Sequence, residues 1–250
     1  MSLFELISSE PGGGGSAFHG LAVGVVTNID DPDKLGRVKV KLLNRDSSDF
    51  ETEFIRVMTP MGGAQWGMWF FPEVGDEVIV GFGDGDIYRP YVLGTLWNKN
   101  KKPPQPIKDS KNDLRMIKTR SGHTLVFGDE DDKQFVELFT QGELKLRMDD
   151  KDNKITFGDK GGDNVVIIDN KNGEITIKAA KKINIVSGNS KVTIDGNGNQ
   201  VAIESSNAAN VKSQQITIES KGPLNVKSAA TLNLSSDGPA NLKGAMVKIN

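Results

Sequence analysis

From residue 175 to the end of the chain, apolar residues come in pairs spaced i and i+2. The pairs are Ile175/Ile177, Ile183/Ile185, Val192/Ile194, Val201/Ile203, Ala209/Val211, Ile216/Ile218, Leu224/Val226, Leu232/Leu234 and Ala240/Leu242. Their first members lie 7 to 9 residues apart, and from Ile216 to Ala240 the step is 8 each time. Alternation over three residues, then a bend rich in Gly, Ser, Asn, Asp and Lys, predicts short strands that aim two side chains to one side. Helical spacing is absent, and the repeat is a β-solenoid signature. One such unit cannot fold by itself. At ~25 cal/mol per Å2 its two aliphatic side chains contribute a few kcal/mol, whereas ordering costs on the order of 1 kcal/mol or more per residue. Units must therefore stack around a shared interior. Three sides in one chain make a rung of about 24 residues, or three chains each supply one side; periodicity leaves both open.

The rest of the chain has a different composition. All three Trp and both Tyr precede residue 100, and Phe157 is the last Phe. This distribution predicts an aromatic-rich N-terminal core, with Trp66, Trp69, Phe70, Phe71 and Trp97 in or against it. From Phe18 to Asn98 the sequence reads as five or six short strands between turn signals, which fits a small closed or partly open barrel. The glycine-rich "PGGGGS" at residues 11–16 reads as a flexible tether, since no Lys-Ser/Thr pair follows to make a phosphate loop. Residues 99–118, with Pro103, Pro104 and Pro106, read as a semi-rigid connection. The predicted organisation is 1–17 extension and linker, 18–98 barrel, 99–118 linker and 119–250 repeat domain.

Chemistry-bearing motifs are scarce. The stretch "GFGDGD" alternates Gly81, Gly83 and Gly85 ahead of a β-prone run with no helix, so it does not match a dinucleotide fingerprint. Asp84 and Asp86 lack the downstream Glu of a calcium loop, and Asp-Gly between apolar runs predicts a hairpin turn. Asp195, Asn197 and Asn199 have calcium-ligand spacing, but Gln200 and Ser206 replace the required Gly and Glu, which leaves a bend. With no Cys, thiolate metal sites and disulfides are excluded. The two His are His19 and His123; His123 with Ser121 forms no triad spacing, and there is no G-x-S-x-G elbow. A formal net charge of -2 gives no basic field for nucleic acid. The N-terminus lacks a signal-peptide pattern and no stretch reaches membrane-spanning length, so synthesis in the cytoplasm is expected. No catalytic, cofactor or metal residue is expected, and no enzymatic activity.

The segment "FFPEVGDEVIVGFGDGDIYRPYVLGTLWN", Phe70 to Asn98, resembles the OB-fold of VgrG-type spike proteins and related phage baseplate spikes. "IKTRSGHTLVFGDEDDKQFVELFTQ", residues 117–141, is similar to their passage from OB-fold to needle, and the repeats with the ending "GAMVKIN" continue the likeness. The resemblance implies an all-β fold, an OB-fold barrel followed by an intertwined trimeric β-helix that forms a needle. It also implies a structural piercing role at the baseplate of a contractile injection system, driven through a target cell envelope by sheath contraction. The partners it implies are two further copies, a hub protein at the barrel end and a PAAR-type tip protein at the C-terminus. It implies a chain made in the bacterial cytoplasm and assembled into a phage tail-like or injection particle, with phage, bacteriocin, type VI and extracellular systems, and so a virion or extracellular particle, all left open. The expected trimer core is Ile175, Ile177, Ile183, Ile185, Val192, Ile194, Val201, Ile203, Ile216, Ile218, Leu224, Val226, Leu232 and Leu234. The expected tip interface is Met246, Val247, Lys248, Ile249 and Asn250. Because only about seventeen residues precede the barrel, the resemblance is to the stand-alone form with its hub on a separate chain. With no His after His123, a histidine-bound tip metal is not expected. The competing reading is a monomeric β-solenoid enzyme or adhesin for carbohydrate, with the barrel as a binding module.

Overall fold

The computed structural model describes residues 20–43, 51–107 and 110–249. Every regular element among them is a strand, apart from one turn of 3-10 helix at Gly83–Gly85. The chain divides into two compact units, Met1–Gln134 and Phe135–Asn250.

In the first unit, strands β1 (Leu21–Asn28), β2 (Arg37–Leu42), β3 (Ile55–Val57), β6 (Glu77–Phe82) and β7 (Pro90–Leu96) close a barrel in the order β1-β2-β3-β7-β6. All pairings are antiparallel except β3 with β7. A minor hairpin, β4 (Gly62–Gly63) with β5 (Trp66–Gly67), projects between β3 and β6. Strict alternation puts every second residue of β2 inside: Val38, Val40 and Leu42 are buried, while Arg37, Lys39 and Lys41 are not. Val26, Ile55, Val78, Val80 and Val92 complete the interior. The wall is so close at Gly24 that a Cβ there would lie 2.4 Å from Val40 Cγ1.

This interior corrects the expectation of an aromatic core. Trp66, Trp69, Phe70 and Trp97 are all exposed, and only Phe71 packs against the core, with Trp69 stacked on it at 4.9 Å. A five-stranded barrel is narrow, and β-branched aliphatic side chains fill it. The aromatics lie outside, mostly on the hairpin arm.

The "GFGDGD" stretch is the predicted turn. Antiparallel β6 and β7 are joined through Gly83–Arg89, with Asp84 in the left-handed region at φ 53° and ion-paired to Arg89. Asp31 organises the β1–β2 loop. Its carboxylate accepts hydrogen bonds from the backbone N–H of Asp33 (3.1 Å), Leu35 (2.9 Å) and Arg37 (3.3 Å), and from the Arg37 guanidinium at 3.0 and 2.7 Å. Arg37 holds this carboxyl well below the usual carboxylate range, and the three N–H donors act in the same direction.

Strand β8 (Leu114–Lys118) pairs with β9 (Thr124–Gly128) in a hairpin, so the end of the expected linker is a strand. His123 is exposed in its turn, where its N–H donates to Thr119 Oγ1 at 3.1 Å.

The second unit opens with a meander of five antiparallel strands: β10 (Phe135–Phe139), β11 (Leu144–Asp149), β12 (Lys154–Asp159), β13 (Val165–Asp169) and β14 (Glu174–Lys178). A three-stranded antiparallel sheet follows: β15 (Lys182–Ser187), β16 (Ser190–Asp195) and β17 (Gln200–Glu204). Aspartates end four of these strands. Asp149, Asp159 and Asp169, ten residues apart, accept N–H bonds from Asp152, Asp163 and Asn172 in the following turns. Asp195 does the same for Asn197 and Gly198, which makes the calcium-like stretch a bend. After Glu204 no described residue lies in a strand.

Replacing Asp31 with Asn is expected to lower the melting temperature of the barrel at pH 7. A carboxylate with a depressed pKa stabilises fully above its unfolded pKa of about 3.9, and that contribution is lost as pH falls towards the folded value. The melting-temperature gap between parent and variant should therefore close in strong acid. A gap equal at pH 7 and pH 2 would contradict this role.

Candidate functional site: an apolar face and a ribbon without partners in the chain

Directly opposed residues in an antiparallel sheet point to the same face, so register alone sorts the meander into two surfaces. Leu138 lies opposite Leu146, and Leu146 opposite Phe157, which meets Val166 and then Ile177. The neighbouring row runs Val136, Met148, Ile155, Ile168, Ile175. All ten are apolar and none is buried. Phe157 is 61% exposed and Ile175 71%.

The other surface carries the charge. Arg147 pairs with Asp149 at 2.8 Å and Glu137 at 3.4 Å and covers the Phe135 ring at 3.9 Å, while Lys154 meets Asp169 at 3.2 Å. Arg147 and Lys154 each help hold their aspartate below the usual carboxylate range, together with turn N–H donors.

The three-stranded sheet repeats the arrangement. Ile183 opposes Ile194, which opposes Val201; Ile185 opposes Val192, which opposes Ile203. These six share one face, and Asn184 and Thr193, bonded side chain to side chain at 3.2 Å, share the other. Four of the predicted apolar pairs, from Ile175/Ile177 to Val201/Ile203, thus lie on the wholly apolar faces. The four pairs Val136/Leu138, Leu146/Met148, Ile155/Phe157 and Val166/Ile168 escaped the sequence reading. Their i, i+2 signal is the same but recurs at about ten residues, marked by the strand-ending aspartates.

Successive units pair with each other within β10–β14 and within β15–β17. A three-sided rung within one chain would instead pair each unit with the third one on, so the single-chain solenoid does not form here.

Residues 205–249 keep the eight-residue repeat without any strand ladder and are exposed throughout. Ile216, Ile218, Leu224, Val226, Leu232 and Leu234 are 52% to 84% exposed. The bends are nevertheless built: Ser220, Ser228 and Ser236 accept the N–H two residues on, at 3.3, 3.4 and 3.2 Å. The last unit breaks phase, because Val247 follows Ala240 by seven residues. Met246, Val247, Lys248 and Ile249 are exposed, and Asn250 lies outside the described residues, as do His19 and the glycine-rich stretch.

Among the described residues no group of three or more His, Asp or Glu is placed to hold a metal ion, and no helix is long and apolar enough to cross a membrane. What this unit presents is an exposed apolar surface.

Residues 22–97, the barrel, match the family described as the type VI secretion system/phage-baseplate injector OB domain. The chain is similar to VgrG-type spikes. It is 39% identical over 82 residues to the type VI secretion system spike protein VgrG2a of Pseudomonas aeruginosa, covering 32% of this chain and 10% of that protein. Against VgrG3 of Vibrio cholerae the figures are 37% over 82 residues, 32% and 8%. The match to VgrG1a of Pseudomonas aeruginosa is longer, 23% over 245 residues, with 84% of this chain and 37% of the spike covered. The chain therefore spans a minor part of the length of the VgrG spikes it matches. Fold class and kinship agree: an all-β chain with an OB barrel first and a repetitive β region after it.

An Ile185→Asp substitution would place a carboxylate among Val192 and its neighbours on the apolar face, whereas Asn184→Asp changes the charged face. If the apolar face is covered in the assembled protein, Ile185→Asp costs several kcal/mol for each copy or forces the acid to stay protonated. Thermal melting should show a large loss for Ile185→Asp and little for Asn184→Asp; equal melting temperatures would place Ile185 in water.

Proposed function

We propose that this chain is a structural spike of a contractile injection machine, active as a homotrimer. Three meander sheets turn their apolar faces to a common axis, and three ribbons of residues 205–249 wind together beyond them. The observation that carries this reading is the uncovered apolar surface: faces of ten and six side chains, then a ribbon whose apolar pairs are exposed and which forms no strand ladder among the described residues. Its kinship with VgrG-type spikes points to the same architecture.

In such a trimer the expected core residues, from Ile175 to Leu234, line one continuous dry interior. Many strand hydrogen bonds and apolar contacts share an axial load, which suits a body pushed through a target cell envelope by a contracting sheath. The mechanism is mechanical, with no covalent step. The barrels face a hub protein at the blunt end, and the assembly is carried on a phage tail-like or secretion particle. Met246, Val247 and Ile249 end the ribbons as an apolar platform, with strand ends open to a PAAR-type tip protein that continues them.

Light scattering of the full chain should give three times 27.1 kDa; a monomer at micromolar concentration would overturn the reading. Deleting residues 245–250 should abolish co-purification of the tip protein and leave the trimer mass unchanged, because upstream units remain. Tip binding at full affinity by the truncated chain would contradict the platform.

A further inference from the structure

The barrel carries an exposed apolar surface of its own, on the hairpin arm between β3 and β6. Met58, Met61, Trp66, Met68, Trp69 and Phe70 lie there, with Trp66 61%, Trp69 75% and Phe70 61% exposed. The arm is nonetheless built. Gly62 pairs with Gly67 and Gly63 with Trp66, the Met68 N–H donates to Met61 O at 2.9 Å, and Thr59 Oγ1 donates to Met68 O at 2.7 Å. The Trp66 indole occupies the space that a Cβ on Gly63 would take, so only glycine there admits the ring. Trp69 stacks on Phe71, which packs against the barrel core, and still keeps most of its surface in water. Large apolar side chains are thus held in solvent at fixed positions, where they contribute nothing to the closed interior of the barrel.

Two features select what covers the arm. The first is charge. No Asp, Glu, Lys or Arg lies between Arg56 and Glu73. Around a symmetry axis the side chains near the axis meet their own copies, so a charged patch would repel itself and an uncharged one is compatible with itself. The second is area. At about 150–250 Å2 per aromatic side chain, the three exposed rings alone offer roughly half of the ~800 Å2 that each partner buries in a standard stable interface. The three methionines add soft side chains that adapt to opposing rings. Because the arm is preformed, covering it orders few groups.

We propose that this arm is a contact between copies of the chain: Trp66 and Phe70 of each barrel pack against the same arm of the neighbouring barrels. The inference rests on the trimeric reading and adds to it a second interface, separate from residues 135–249.

The chain has no Cys, which permits a clean test in the full-length protein. Ala64→Cys, exposed in the β4–β5 turn, places one thiol at the tip of the arm. The control is Tyr88→Cys, 80% exposed in the β6–β7 turn. Under mild oxidation the arm variant should form disulfides between chains at least about tenfold faster than the control, since contact raises the effective concentration of the paired thiols. Trp66→Ser with Phe70→Ser, which leaves Trp69 on Phe71, should bring the arm rate down to the control rate while light scattering still gives three times 27.1 kDa. Equal rates for arm and control within a trimer of full mass would overturn this contact and leave the trimer standing, with a hub protein or a lipid surface as the arm's partner instead. An arm rate indifferent to Trp66 and Phe70 would overturn it too. A monomer by light scattering would overturn both readings together.

Discussion

The constraint on which the rest of this protein depends is the backbone of residues 205–249. Every residue but proline brings one N–H and one C=O that require partners wherever water is excluded. In one chain this ribbon makes no strand ladder, and its regular apolar pairs stay in solvent. In the proposed trimer, other copies complete the core pattern that this ribbon repeats every eight residues. The built bends show that the ribbon is shaped beforehand. The serine hydroxyls of Ser220, Ser228 and Ser236 fix turns locally, leaving the strands between them to be paired.

The preceding sheets solve a related problem differently. Within the meander β10–β14 and within the sheet β15–β17 each strand pairs with the next along the chain, so away from the sheet edges only side chains are left over. The ten-residue spacing matters here, because the extra turn residues let the chain reverse and the aspartates cap those reversals. Beyond Glu204 the apolar pairs recur every seven or eight residues and no described residue lies in a strand; Gly222-Pro223 and Gly238-Pro239 fall within this ribbon. Longer turns thus accompany the sheets that one chain builds, and the proposed trimer supplies partners for the ribbon. The barrel closes on a core of six valines with Leu42 and Ile55, and Asp31 organises its β1–β2 loop.

Much of this was legible in the sequence. Val38, Val40 and Leu42 alternating with Arg37, Lys39 and Lys41 announce the half-buried strand β2, and Asp84-Gly85 announces the turn between β6 and β7. The pairs from Ile175 to Ile203 fall on one face, as i, i+2 spacing requires. Other features were hidden because they depend on tertiary volume. Nothing local to Trp66, Trp69 or Trp97 says that a five-stranded barrel has no room for them. The pairs from Val136 to Ile168 were missed because their period is longer than that of the octads. Register then decides the rest: only once Leu146 is seen opposite Phe157 does a row of scattered apolar residues become a continuous face.

The central claim, that the ribbon's backbone is satisfied by other copies, is tested most directly by amide hydrogen exchange of the full-length protein across a dilution series. Opening of unpaired, solvent-exposed backbone costs nothing, so exchange reports pairing itself. The account expects slow exchange throughout residues 205–249 at high concentration, with protection lost on dilution while the barrel amides of β1, β2 and β6 stay protected. Fast exchange of the ribbon at every concentration would contradict it, and so would protection that persists when the protein is shown to be monomeric.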